Sequence, residues 1–98
     1  MDILQALSFN AERPSTMVLS NSDRQQTIAI GLMPGQTLKK HISATPAMIV
    51  VLKGSILFDM EGYVEEIKEL NSFNIPSGVP HEVTGLEQSV FLLIKDKV

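Results

Sequence analysis

Two imidazoles are the side chains in this sequence best suited to chemistry. His41 and His81 are the only histidines among 98 residues, and they stand forty positions apart. A neutral imidazole ligates transition metals and exchanges protons near neutral pH. Either use needs partners: further donors for a metal, an orienting group for a general base. If the two histidines cooperate, the fold must bring them together. The sequence holds no cysteine. That removes disulfide frameworks, thiolate zinc sites and cysteine nucleophiles in one step. Any metal would rest on imidazoles and carboxylates.

The elements that must position these residues are short and extended. Thr27 to Leu32 places Ile28, Ile30 and Leu32 on one face of a strand, and Ser55 to Met60 does the same with Ile56, Phe58 and Met60. Ala47 to Leu52 is apolar on both faces, and so is the run from Ser89 to Ile94. Such runs predict strands covered on both sides. Turn signals separate them at Asn21-Ser22-Asp23, Pro34-Gly35, Thr45-Pro46, Gly54, Glu61-Gly62, Pro76-Ser77-Gly78 and Gly85. This spacing of strands and breakers predicts a β-sandwich or barrel. Only Asp2 to Leu7 could form a helical turn, with a short edge strand as the alternative. No repeat, linker or low-complexity segment interrupts the chain.

Composition narrows the classes. A chain of 98 residues that is 44% hydrophobic fits one domain. Eight basic against eleven acidic residues gives a net charge of −3, without a basic run. This argues against a nucleic-acid footprint and against an anionic-membrane anchor. Lys39-Lys40 is too short for such a patch. The amino terminus lacks the basic region of a secretory signal, and the longest apolar run, Ala47 to Leu52, is far short of a membrane span. The expectation is a soluble, cytoplasmic protein. Met17, Met33, Met48 and Met60 read as gap-filling core residues. Glu65, Glu66, Lys68 and Glu69 read as a solvated hairpin, and Tyr63 as a packing residue of that hairpin rather than a catalytic phenol.

The local contexts of the histidines are informative. Gly35 precedes His41 by five intervening residues, and Gly54 follows after Ser43 and Ala47. His81 closes the run Pro76-x-Gly78-x-x-His81. From Met33 to Ile94 the sequence resembles a small single-domain cupin. The first motif of that family runs Gly, five residues, His-x-His, a Glu, six residues, Gly; the second contains Pro-x-Gly-x-x-His. The resemblance implies an all-β fold, an antiparallel double-sheet jelly-roll barrel, over a single domain 1–98. A short N-terminal arm would occupy about 1–14 and the barrel about 15–95.

The departures bear on function. The family's metal site takes three histidines and one carboxylate, but here Ser43 replaces the second histidine and Ala47 the glutamate. A serine hydroxyl is a weak ligand and an alanine methyl is none. Glu82 follows His81 immediately and should point to the opposite face of its strand, as Asp59 should by the same parity. Glu61 and Glu12 fall at turns or outside the motifs. Leu70-Asn71 stands where the family usually has Gly-Asp, so that turn is expected to differ.

These readings give a ligand pocket of His41, Ser43, Ala47, His81, Ile49 and Phe58, with Val51, Phe73, Ile75 and Met48 or Met60 as further walls. Ser43 is expected to face inward without a nucleophilic role, since no orienting acid accompanies it. His41 and His81 are the metal candidates, for a weakly bound divalent transition metal at most. The expected function is binding of a small, partly apolar molecule, with no standard metal-dependent activity. The alternatives are a metal-dependent oxygenase or isomerase using the two histidines, and a dimeric interaction or regulatory module. The two apolar-faced runs offer more surface than a small barrel interior needs, which predicts a C2 homodimer burying part of one sheet.

Overall fold

The computed structural model describes residues 1–97, with His41 described through its backbone alone. Period-two patterning yields strands wherever the sequence predicted them. In chain order, after helix α1 (Ile3–Leu7), the strands are β1 (Ser15–Asn21), β2 (Gln25–Leu32), β3 (Thr37–His41), β4 (Ala47–Lys53) and β5 (Ser55–Met60). They continue with β6 (Tyr63–Lys68), β7 (Ser72–Ile75), β8 (His81–Gly85) and β9 (Ser89–Asp96). They form two antiparallel sheets, ordered β1-β2-β9-β4-β7 and β3-β8-β5-β6. The all-β, double-sheet jelly-roll expected from the sequence is the observed architecture.

The core lies between the sheets, where each strand contributes alternate residues. Ile30 and Leu32 of β2, Ile49 and Val51 of β4, Ile56 and Phe58 of β5, Val83 of β8 and Phe91 of β9 are all buried there. Truncating a buried Phe of this kind to Ala costs about 3–5 kcal/mol. Asp59 and Glu82 are register partners on the outer face of the smaller sheet, as parity predicts.

The outward side of the larger sheet carries a second apolar cluster. Leu7, Ala29 and Val90 are buried in it, with Ile3, Phe9, Met17, Leu19, Leu52 and Leu92 packed around them. The helical alternative for Asp2 to Leu7 is therefore the correct one. Asp2 caps α1 by accepting from the Gln5 backbone N–H at 3.1 Å. The apolar stripe of this arm covers one end of the sheet. Met48, Val50 and Ile94 lie beyond it and are half-buried, so β4 is less completely covered on its outer side than its sequence implies.

One residue, Gly54, links β4 in one sheet to β5 in the other. Its φ of +76° lies in the left-handed region, and a Cβ there would come within 2.5 Å of the Gln88 carbonyl oxygen. Beside it the hydroxyl of fully buried Ser89 lies 2.8 Å from both the Ser55 and Glu87 carbonyls, which share its one proton.

Candidate functional site

His81 opens β8 directly after the Pro76–Pro80 turn, whose prolines fix the approach. The same turn is tied to the segment after β3: the Gly78 N–H donates to the Ser43 carbonyl at 2.8 Å. β3 pairs with β8, and His41 stands in register opposite His81. The fold thus brings together the backbone positions of two histidines forty residues apart in sequence. The His41 side chain, and with it half of the expected metal pair, lies outside the described residues.

His81 is only 3% exposed. Its Nδ1 lies 3.1 Å from the Val79 carbonyl oxygen. A carbonyl can only accept, so Nδ1 carries the proton and, in the neutral ring, Nε2 carries the lone pair. The ring stacks on Phe58, with centroids 5.6 Å apart and planes 22° apart. Phe58 meets Phe73 at 4.7 Å, and Phe73 stacks on Tyr63 at 6.3 Å. An aromatic column therefore runs from buried His81 to half-exposed Tyr63 at the β5–β6 hairpin.

The barrel interior beside His81 is nearly filled. A void of about 10 Å³ remains, walled by Leu38, Ile49, Ile75, Val83, Phe91 and Leu93 along with the imidazole. That is room for about one water. Of the expected pocket residues, Ile49 and His81 border this void and Phe58 stacks on the imidazole. Ala47 is buried in the same core without bordering the void, and Ile75 is a wall as expected. Met60 packs against the core, whereas Met48 points to the outer side of the sheet, so Met60 is the methionine of this region.

Ser43 departs from its expected role. The irregular register between Leu38 and His41 ends β3 at His41, and Ser43 falls in the following turn. Its hydroxyl donates to the Thr45 carbonyl at 2.9 Å, so it serves the turn and not the void. Among the described residues no three His, Asp or Glu side chains converge to hold a metal ion. With a turn-bound serine and an alanine at two ligand positions, the residues present do not fit a four-ligand centre.

Glu65 was hidden from sequence reading. It is the register partner of Phe58, so it shares the inner side of the sheet with Ile67 and is half-buried, unlike its solvated neighbours Glu66, Lys68 and Glu69. Tyr63 donates to Glu65 Oε1 at 2.6 Å. That hydrogen bond, with the carboxylate's charge, raises the phenol above the ordinary tyrosine range. Parity counted back from Phe58 across the tight Glu61-Gly62 turn was the signal that could have found Glu65.

No protein-family model matches the sequence, and no curated protein does. Solved structures do. A cupin superfamily protein from Desulfitobacterium hafniense superimposes with a TM-score of 0.91 at 14% identity, over 100% of this chain and 90% of its own. The chain has the cupin fold. An RmlC-like cupin from Desulfovibrio desulfuricans gives 0.89 at 22% identity, over 98% of this chain and 93% of its own. A conserved protein of unknown function from Streptococcus pyogenes gives 0.88 at 21%, over 100% and 86%. At these identities the likeness to cupins is one of fold. What this chain departs from is the ligand set of the family's first motif.

Proposed function

We propose that this cupin binds a small, partly apolar molecule at the mouth of its barrel, without standard metal-dependent catalysis. The aromatic column from His81 through Phe58 and Phe73 to Tyr63 carries the reading. Its outer end, half-buried Phe73 and half-exposed Tyr63, offers the stacking surface and the Tyr63–Glu65 pair the hydrogen-bonding groups, while buried Phe58 and His81 back that surface from inside. The packed interior limits the ligand to the rim, since a void of about 10 Å³ admits nothing larger than water.

Tyr63 is the only tyrosine and the chain has no tryptophan, so intrinsic emission reports on this rim alone. Titrating the metal-free protein with a diverse metabolite panel should give a saturable change in Tyr63 emission. Both His81→Ala and Phe73→Ala should abolish it while unfolding stays cooperative. Silence across the panel would sink the reading. The same titration with manganese, iron, zinc or nickel tests the alternative of a metal held by the two histidines, and a saturable response to one of them would replace the metal-free reading.

The filled interior favours a second reading, in which the pocket is vestigial and a homodimer formed through the outer sheet face does the work. Met48, Val50 and Ile94, which α1 leaves half-exposed, are the surface a second copy would cover. Sedimentation at twice 10.8 kDa, reverting to the single mass in Val50→Asp, is the expected result for that reading. A wild-type protein that sediments at the single mass would remove it.

A further inference from the structure

The two sheets differ in width, and the excess strand leaves a groove on the inner side of the larger one. The five-stranded sheet ends in β1, while the four-stranded sheet facing it ends in β3. Val18 of β1 is 54% exposed although its register partner Ile28 packs against the core. The resulting groove has a volume of about 490 Å³, within the range of small-molecule sites. Val18, Ile28, Ile30 and Leu38 give it apolar walls, and Lys39 and Lys95 supply its charge. No Asp or Glu among the described residues lines it. In a chain with eleven acids and eight bases, that local balance is the reverse of the whole.

We infer that this groove binds an amphipathic anion: a molecule with an apolar body, which the β1 and β2 side chains shield from water, and one anionic head between Lys39 and Lys95. The walls supply hydrophobic contact and the lysines select the sign of the head. Lys95 lies on the inner side of β9, half-buried, so its aliphatic stem adds to the apolar wall while its ammonium reaches the head. Leu38 and Leu93 border both the groove and the void beside His81, so the two spaces lie back to back with side chains between them. The groove is thus a site separate from the barrel mouth.

The test compares three ten-carbon probes below their micelle concentrations: decanoate, decanol and decyltrimethylammonium. Binding is followed by amide and methyl shifts in isotope-labelled protein. Decanoate should bind saturably, shift Val18, Ile28 and Leu38, and bind about tenfold more tightly than decanol, as two partly exposed cations would produce together. The cationic probe should bind least. The Lys39→Gln/Lys95→Gln double variant should bring decanoate and decanol to equal affinity, and Val18→Glu should repel decanoate. Phe73→Ala, at a residue that borders neither the groove nor the void, should leave decanoate affinity within about twofold. Equal binding of decanoate and decanol by the wild type, or shifts confined to the His81 rim, would overturn the proposal. So would a wild-type dimer that Val18→Glu splits, since the occupant would then be a second copy.

Discussion

Leu70 adopts a φ of +64° in the β6–β7 turn, a conformation that costs a non-glycine residue about 1–2 kcal/mol. Its side chain is 81% exposed and offsets little of that cost, while its N–H is held by the Val51 carbonyl at 2.7 Å. The turn at Leu70-Asn71, expected to differ from the family's Gly-Asp, thus has a glycine-type backbone without the glycine. Leu70→Gly should stabilise the protein by about 0.5–1 kcal/mol after the added chain entropy is subtracted. Thermal unfolding should register a rise of a few degrees, and a fall would show that the leucine has an unseen partner. Tyr63 gives a second test at this scale. The hydrogen bond to Glu65 favours the protonated phenol in the folded state. Its stabilising effect is complete below the unfolded tyrosine pKa and is lost as pH rises through the higher folded value. Absorbance titration should place the phenol above the ordinary tyrosine value of about 10, and Glu65→Gln should return it toward that value.

At the level of elements, the β4–β5 corner matters most. Gly54 changes sheets in a single residue, and its missing Cβ is what lets the Gln88 carbonyl and Ser89 close over it. Gly54→Ala combines a positive φ with contacts of 2.5 and 2.6 Å, and should cost about 2–4 kcal/mol in denaturant unfolding. A change below 1 kcal/mol would mean that the corner relaxes cheaply. β3 illustrates what a sequence hides at this scale. Alternation assigned His41 and Ser43 to one strand face, but the register irregularity after Leu38 ends the strand first. β2 and β5 were legible because their apolar residues recur every second position, and β4 and β9 because each is a short, continuous apolar run bounded by turn signals. Glu65 was not, because which side a hairpin acid faces depends on how the turn sets the pairing. The placing of His81 followed from its proline-glycine turn, whereas the fullness of the interior depends on how side chains from both sheets interdigitate, which spacing does not encode.

For the molecule as a whole, the arm and the barrel form a layered structure. The sequence indicated surplus apolar surface on β4 and β9, and read it as a place for a second copy. Part of that surface is covered within the chain, by Leu7 and Phe9 over Ala29 and Val90. Leu7→Asp should therefore cost about 2–4 kcal/mol and increase binding of a hydrophobic dye. Unchanged stability would mean that the arm does not dock. No helix among the described residues is long and apolar enough to cross a membrane. The order of strands in the larger sheet has a further consequence. β9, which follows the other eight described strands in the chain, sits at its centre between β2 and β4. During synthesis β2 and β4 have no neighbour to join them until Ser89–Asp96 leaves the ribosome. Until that moment their exposed edges and apolar faces await a strand that does not yet exist, so the larger sheet closes only after Ser89–Asp96 has emerged, and a nascent chain is most open to chaperones just before then.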